Sequence, residues 1–550
     1  MKNFIIGAIP RFFFFKLNFI IELFGFFFKY TNIKNFSYFC KKRFKKINSE
    51  KQILIELNSF YSSIIPLSYF SNFLSKKQNS KLISYDNDLS TSKIMTFYYF
   101  VKKIFYKPIS KIYESFGVVS HIRPSNSKNI ENITIEFFNR IIKEIKTKEE
   151  LVDLNVEGIW IGDLIYDSYL KEFKKETINL NCKKFKFFLK KSLTLFFYWK
   201  NYFDKNNITA VVATHTVYIS SIILRIAISR KILVYQISMN QLYKLDKAEV
   251  FAHKEFNYFK TEFNTLDEKE LRLNKAKTNI ERRLSGEVGV DMPYSTKSAY
   301  NKVNKNINVL NKSNKIKILI AAHCFFDSPH PYGKNMFPDL YEWLNFLSEI
   351  SQITDYEWYI KLHPDFIPKN FEIIKSFIKR NKKFKLLNNY TSHNQLIYEK
   401  INFCLTVYGT IGAEYAYKNI VVINASKNNP HNKYNFNINP KTIDEYKNLL
   451  LDLKKVDLKI DQKEVLEFYY MHNIYRQRGW FVEDYTTIIN GLGGRELADK
   501  KLNTSEILKY FVKNIYSTEM ENKLKINMDN FFYKSEYKCN YDFLSNSKCL

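Results

Sequence analysis

Two stretches decide the fold: YIKLHPD over residues 359–365 and LTVYGTIGAEYAYKNIVVINA over residues 405–425. Each begins as a short apolar run rich in residues that favour buried strands. The first run stops at His-Pro and the second turns at Gly-Thr, because proline and glycine interrupt strand pairing. The second stretch continues with a predicted helix and then another strand. Strand, helix, strand at this spacing predicts a parallel crossover unit.

The same alternation extends in both directions along the chain. Strands are predicted at 210–213, 232–235, 316–322, 358–362, 384–387, 403–407 and 420–423. Predicted helices separate most of them, so the sequence predicts an α/β fold with two Rossmann-like, doubly wound domains and extra terminal helices. The predicted divisions are an aromatic and basic helical region (1–125), a first Rossmann-like domain (126–293), a linker (294–315), a second Rossmann-like domain (316–495) and a helical or irregular tail (496–550).

Composition narrows the class of partner. The 550 residues are too many for one compact core. The 85 Lys and Arg against 55 Asp and Glu give a net charge of +30, which favours anionic partners, although basic drift on solvated faces explains it equally well. No zinc finger, RNA-binding aromatic motif or arginine-rich tract is present, so nucleic acid is not an expected partner. The six cysteines are widely spaced without a CxxC pair, which predicts a reducing, cytoplasmic location.

The first 46 residues combine aromatic and basic clusters. Four phenylalanines run from Phe12 to Phe15, and a basic segment, KKRFKK, covers residues 41–46. Charged residues interrupt the apolar run before it reaches the roughly 20 residues that a spanning helix needs. The pattern predicts a peripheral contact with the anionic inner face of the cytoplasmic membrane, with a core helix of the first domain as the alternative.

Ligands of open parallel sheets bind at the carboxyl ends of the strands, so the polar residues there are the binding candidates. Imidazoles can hydrogen-bond a phosphate, and glycines with a helix start allow amide groups to approach one. A helix cap or a structural histidine remains the alternative at each position. The donor and phosphate candidates are His323, His363, Pro364, Gly409, Thr410, Gly412 and Glu414. The His323, Cys324, Asp327 and His330 loop lacks zinc-like spacing, so we expect no metal and no other cofactor.

These motifs resemble bacterial capsule and surface-polysaccharide glycosyltransferases, in particular Kdo-transferase-like proteins and polysialyltransferases. The resemblance covers about residues 150–440 and includes GIWIGDLIYDSYL and ATHTVY in the first half. It implies a GT-B fold, a CMP-activated acidic sugar as donor, and phosphate contacts from His363 and Thr410. It also implies that Glu414 matches the acidic residue that follows the glycine-rich turn.

The general base is the open question. Polysialyltransferases carry two acidic residues before a glycine, whereas this chain has Val156-Glu157-Gly158 and Gly162-Asp163. An inverting transfer needs a carboxylate or histidine to take the acceptor proton. The candidates are Asp163, Asp167, Glu157 and His215, in that order. Asp163 is equally well explained as a helix cap.

The expected function is a metal-independent transfer from a nucleotide sugar to a glycan or lipid-linked glycan of capsule or lipopolysaccharide. The alternatives are a teichoic-acid-type polyol-phosphate transferase, a sugar-nucleotide epimerase and a non-enzymatic, membrane-bound assembly component.

Overall fold

The computed structural model describes residues 31–58, 60–87, 109–292, 297–363, 367–477, 479–482, 485–493, 498, 501–502, 504–534 and 536–539. The strands in this part of the chain are β1 (Gln52–Glu56), β2 (Lys81–Tyr85), β3 (Val118–Ile122), β4 (Asn155–Val156), β5 (Ile159–Trp160), β6 (Ile208–Ala213), β7 (Leu233–Ile237), β8 (Leu242–Leu245), β9 (Lys317–Ala322), β10 (Glu357–Leu362), β11 (Phe384–Leu386), β12 (Phe403–Thr406) and β13 (Val421–Asn424).

The α-helices alternate with these strands and then accumulate towards the C-terminus. They are α1 (31–43), α2 (Tyr61–Gln78), α3 (109–115), α4 (Lys128–Glu144), α5 (Lys148–Val152), α6 (Gly162–Phe173), α7 (Lys183–Lys205), α8 (Ile222–Ser229), α9 (Phe259–Thr265), α10 (Lys269–Leu284), α11 (Leu340–Ile353), α12 (Pro368–Arg380), α13 (His393–Tyr398), α14 (Ile411–Tyr417), α15 (Ile443–Leu451), α16 (Gln462–Tyr469), α17 (Tyr485–Gly491), α18 (Glu506–Tyr510) and α19 (Thr518–Tyr533).

The first sheet has the strand order β3-β2-β1-β6-β7-β8, and only β8 runs antiparallel to its neighbour. This is the order of a doubly wound dinucleotide-binding fold. Because side chains alternate along a strand, Leu54 of β1 packs in the core with α7 and α8, whereas Ile53 and Ile55 pack on the other face with α2. We call this sheet and its helices the first lobe.

The second sheet has the order β11-β10-β9-β12-β13, and all of its strands are parallel. Ile318 and Ile360 pack in the core that contains α11 and α12, whereas Leu319 and Tyr359 pack with α13 and α14 on the other face. We call this unit the second lobe. The predicted fold class, with two Rossmann-like sheets covered on both faces, is therefore confirmed.

The prediction of a helical region over 1–125 is wrong for the residues that the structure describes there. β1, β2 and β3 lie in this region and form half of the first sheet, beside the helices α1, α2 and α3. In β1 the run Ile53-Leu54-Ile55 is continuously apolar because both faces of the strand are buried. So short an apolar run shows neither helical nor strand periodicity, which is why the pattern did not reveal it.

The predicted end of the second domain at residue 495 is also wrong. The chain returns to the first lobe after α16, where the Trp480 ring lies 5.9 Å from Phe70 and the Phe481 ring lies 5.4 Å from Tyr69. α18 and α19 then pack against the same core through Leu508 and Phe531. The described part of the predicted tail is thus largely helical and belongs to the first lobe.

The predicted linker and membrane segment are partly described. Residues 297–315 contain no helix or strand, and backbone amides of this segment donate to Gln395 of α13 and to Glu399, which follows this helix. In the basic segment at 41–46, the Arg43 guanidinium stacks on Phe39 and faces Glu521. The four lysines of this segment are exposed. Residues 1–30 lie outside the described residues, so the membrane contact stays a prediction. Among the described helices, none combines the length and apolarity required to cross a bilayer.

Candidate active site between the two lobes

A cavity of about 770 Å³ lies where the carboxyl ends of the two sheets meet. Its walls carry hydroxyl, amide, imidazole and phenol groups together with the charged side chains of Lys171, Asp327 and Arg476. The lining residues are Ser62, Ser63, Lys171, His215, Thr216, Val217, Tyr218, Ser238, Met239, Asn240, Gln241, His253, Asp327, Ser328, Pro331, Tyr332, Tyr408, Arg476 and Leu502. This is the position at which open parallel sheets bind ligands.

In the first lobe, hydrogen bonds join the ends of β1 and β6, where the strand order reverses. The Thr214 amide and hydroxyl both donate to the Glu56 carboxylate at 2.6 Å, and the Asn58 amide donates to the Thr214 hydroxyl at 2.7 Å. This network fixes the chain just before His215, whose exposed side chain lines the cavity. Of the four predicted base candidates, His215 is the one that lines it.

In the second lobe, a matching contact joins the ends of β9 and β12. His323 Nε2 lies 2.9 Å from the Thr406 hydroxyl, and the His323 ring packs 4.7 Å from the ring of Tyr408. Tyr408 also lines the cavity, so His323 lies one side chain away from the cavity wall. The predicted donor residue His323 is therefore at the switch point of its sheet.

Three imidazoles follow three successive strands of this sheet: His323 after β9, His363 after β10 and His393 at the start of α13, after β11. We call them the imidazole cluster. Burial, and after it the neighbouring His363, lowers the pKa of His323 to about 4. Burial also lowers the pKa of His393, and so do the charges of Lys361 and Arg283 and the neighbouring His363. Lys361 and Arg283 thus bring positive charge to this cluster, although Arg283 is itself paired with Glu414.

Lys361 adds to this positive potential and was not among the predicted site residues. Its side chain is buried at the end of β10, where its ammonium group faces the carbonyls of Leu362 and Asn389 at 3.4 and 3.3 Å. Burial lowers its pKa to about 8. The signal was visible in the sequence, since a lysine inside the apolar run YIKL must face a sheet surface. Pro364 lies outside the described residues, so its predicted role stays a prediction.

The glycines of the turn after β12 are explained by packing. A Cβ atom at Gly409 would lie 2.8 Å from the Thr406 hydroxyl and 3.1 Å from His323, so glycine permits the contact between β9 and β12. A Cβ atom at Gly412 would lie 2.5 Å from His431, a buried side chain. Gly412 thus packs against the protein interior, and its close approach to a ligand stays a prediction.

Thr410 and Glu414 differ in whether their side chains are already engaged in hydrogen bonds. Thr410 occupies the N-cap position of α14, but its side chain makes no capping bond. Glu414 is 6% exposed, and its two carboxylate oxygens accept from Arg283 at 2.8 Å and from the Tyr300 hydroxyl. Glu414 therefore ties α14 to α10, and it is not among the cavity-lining residues. Its predicted contact with sugar hydroxyls stays a prediction that nothing in this geometry favours.

The three acidic base candidates lie away from the cavity wall. Asp163 is buried at the start of α6 and pairs with Arg225 at 2.8 Å. Burial raises its pKa, although Arg225 opposes the shift. Asp167, one turn later, binds His330 Nδ1 at 2.6 Å across the lobe interface. Glu157 is exposed in the turn between β4 and β5 and pairs with Lys200. The helical period of α6 placed both aspartates on its buried face, which argues against either as base.

Sequence reasoning missed two cavity residues that come from segments without a recognisable motif. Arg476 follows α16, and its guanidinium lies 2.6 Å from the buried carboxylate of Glu255. His253 follows β8, and its Nδ1 lies 3.2 Å from the Tyr243 hydroxyl. Both come from loops whose position depends on the return of the chain to the first lobe. Across the described ranges, no three His, Cys, Asp or Glu side chains are grouped as metal ligands would be.

Solved structures with partial similarity include several that act on nucleotide sugars. A KpsC β-Kdo 2,4 transferase of Thermosulfurimonas dismutans is 11% identical with a TM-score of 0.29, covering 48% of this chain and 79% of that one. A UDP-GlcNAc 2-epimerase of Methanocaldococcus jannaschii is 13% identical with a TM-score of 0.21, covering 76% and 98%. The wall teichoic acid polymerase TagF is 10% identical with a TM-score of 0.20, covering 86% and 93%. No family model and no curated protein matches the sequence. The fold assignment rests on the two sheets themselves.

Proposed function

We propose that the protein is a metal-independent glycosyltransferase that moves a sugar from a nucleotide-activated donor to a surface-glycan acceptor, such as capsule or lipopolysaccharide. A CMP-linked acidic sugar is the favoured donor. The observation that carries the proposal is the imidazole cluster at the switch point of the second sheet, beside an interlobe cavity lined with hydroxyl groups.

The imidazole cluster suits the leaving nucleotide. When the glycosidic bond to phosphate breaks, negative charge accumulates on the phosphate oxygens, and prearranged donors there lower the barrier. His363 and the amides around Thr410 are the proposed contacts, with the buried ammonium of Lys361 behind them. Lys361 lies close enough to His393 to lower the pKa of that imidazole, so a phosphate bound by this cluster would meet a buried positive charge.

The cavity suits the sugars. Tyr218, Tyr332 and Tyr408 offer ring faces and hydroxyls, and serine and amide groups complete the wall. Such mixed polar and aromatic surfaces match the alternating hydroxyl and C–H faces of a carbohydrate. Arg476 and Lys171 can pair with a carboxylate, which supports an acidic sugar, and enclosure between lobes limits loss of the donor to water.

The runner-up is a polyol-phosphate transferase of the teichoic-acid type, which would use the same imidazole cluster on a CDP-linked donor. Such a transferase would break a different bond of its donor, because the unit that it transfers contains a phosphate group. A sugar-nucleotide epimerase is the third reading, and it would convert its donor without an acceptor. A non-enzymatic assembly component would bind no donor.

Thermal denaturation of the full chain with CMP, UDP and CDP, each alone, tests the proposal. We expect CMP to raise the melting temperature most and the shift to shrink in His363→Ala, while His121→Ala on the outer strand β3 responds like the wild type. A largest shift with CDP, together with turnover of CDP-glycerol, would favour the polyol-phosphate reading. No response to any nucleotide would refute donor binding.

A further inference from the structure

One histidine of the cavity wall is held in place by a chain of hydrogen-bonding side chains behind it. His253 lines the cavity, and its Nδ1 lies 3.2 Å from the Tyr243 hydroxyl. That hydroxyl donates to Glu255 Oε1 at 2.9 Å. Tyr243 is fully buried and Glu255 is 3% exposed, so the chain of contacts Glu255, Tyr243, His253 runs from the interior to the cavity wall.

We infer that His253 is the general base of the proposed transfer, with Tyr243 and Glu255 as its positioning residues. The inference rests on the proposed function and identifies a base that the acidic candidates do not supply. His253 also has a left-handed backbone, with φ of +66°. Such backbone strain in a non-glycine residue persists where the surroundings hold a side chain in a required place.

The direction of each hydrogen bond fixes the tautomer. Glu255 stays ionised: burial opposes this, but Arg476 and Lys538 lower its pKa to about 2. A carboxylate only accepts, so the single hydroxyl proton of Tyr243 points to Glu255, and the tyrosine oxygen is left as an acceptor. His253 Nδ1 must then carry the proton that it donates to this oxygen. Nε2 is consequently bare and has a lone pair for a substrate hydroxyl.

Burial and the surrounding charges keep His253 neutral, which is the form that a general base needs. Burial and the charges of Arg476, His215 and Lys538 lower its pKa to about 3, against the opposing effect of Glu255. Arg476 lines the same cavity, and its guanidinium lies 2.6 Å from Glu255. An anionic donor seated near Arg476 would offset that charge and increase the basicity of His253 when the base is needed.

The step balances as a single displacement. The acceptor hydroxyl gives its proton to His253 Nε2, and its oxygen forms the new bond to the anomeric carbon. The bond between that carbon and the donor phosphate oxygen breaks, and the phosphate leaves with the electron pair. The imidazolium then releases its proton to water, which restores the neutral base.

The kinetic test compares His253→Gln with the wild type and with His121→Gln, a histidine on β3 outside the cavity. The assay follows release of CMP from CMP-Kdo and CMP-sialic acid by the full chain, with water as the acceptor. We expect His253→Gln to keep the CMP-induced thermal shift and to release CMP ~100-fold more slowly, since a general base contributes at least about that factor. We expect His121→Gln to match the wild type in both.

The outcomes separate this inference from the proposed function. CMP release by His253→Gln within threefold of the wild type, with binding intact, would overturn the base assignment and leave donor binding standing. A wild type that neither binds nor releases CMP would overturn the proposed function and the base with it. His215→Gln, tested in parallel, shows whether the neighbouring imidazole performs the step instead.

A second measurement needs no turnover and tests the positioning residues. Nitrogen NMR of histidine-labelled protein, assigned with His253→Gln, reports which ring nitrogen carries the proton. We expect a protonated Nδ1 and a bare Nε2 in the wild type, and a shift towards the other tautomer in Tyr243→Phe. A proton on Nε2 in the wild type would overturn the inference even if Tyr243→Phe does not fold.

Discussion

Glu414 and Arg283 form an ion pair that is almost wholly removed from water, with side-chain exposures of 7% and 15%. Glu414→Gln would leave the guanidinium without a counter-charge in this setting. Breaking a buried pair by removing one partner costs about 3–5 kcal/mol, so we expect the free energy of unfolding to fall by about that amount. Urea denaturation measures it.

The matched control for that variant is Glu519→Gln, which removes one partner of the exposed pair with Lys523 in α19. Exposed pairs of this spacing contribute at most about 0.5 kcal/mol. Equal losses in the two variants would contradict the assignment of Glu414 to the interior. The comparison matters for function because a sugar contact would require Glu414 to exchange one of its partners.

The burial of the Lys361 ammonium group leads to a prediction about the pH dependence of ligand binding. This ammonium is buried and has no carboxylate partner among the residues that the structure describes, and burial lowers its pKa to about 8. A bound phosphate would stabilise the protonated form, so the pKa rises on binding and affinity falls as the pH rises above about 8. Calorimetric titration with CMP at pH 7 and pH 9 measures this loss. We expect Lys361→Met to bind more weakly at pH 7 and to lose most of the pH dependence, whereas an unchanged pH dependence in Lys361→Met would contradict this role.

At the scale of elements, α6 and the loop after β9 hold the lobes together. Asp167 accepts from the His330 ring at 2.6 Å and from the His330 amide and the Ser328 hydroxyl at 3.1 Å. Beside them, the Tyr166 hydroxyl donates to Asp339. These contacts fix the loop that carries Asp327 and Tyr332 to the cavity. Loop and helix therefore act as one unit in shaping the site.

This interface predicts a pH dependence of stability. Burial disfavours the charged form of His330, but Asp167, Asp163 and Asp339 outweigh it and raise the pKa of His330. A raised pKa in the folded state gives stability that is present below the unfolded value of about 6.5 and is lost as the pH rises through the folded value. We expect urea denaturation to show a steeper loss of wild-type stability above pH 6.5 than that of His330→Gln. Parallel profiles for the two proteins would contradict the coupling.

How much of each element the sequence predicts depends on how local its signals are. β9, β10, β12 and β13 were predicted within two residues of their observed bounds, because glycine, proline or polar residues punctuate apolar runs. β1 and β2 were missed, since their short apolar runs carry no period and β6, which pairs with β1, lies more than 100 residues away. His323 and His363 were found by their place after strands. His253 and Arg476 could not be found, because their nearness to the cavity depends on distant packing.

For the whole molecule, the two sheets face each other with the same construction at each switch point. Thr214 joins strand ends in the first lobe, and Thr406 joins them to His323 in the second. The chain returns to the first lobe after α16. This return packs Trp480 on the first lobe and brings Arg476 to the cavity between the two lobes. One continuous chain thus encloses the site from both sides.

The most direct test of donor binding at this site is amide hydrogen exchange of the full chain with and without CMP. We predict slower exchange in the segments after β9, β10 and β12, namely 321–333, 361–363 and 406–412, with unchanged exchange in β3 on the far edge of the first sheet. Slower exchange confined to other surfaces, or no change in these segments at saturating CMP, would contradict it.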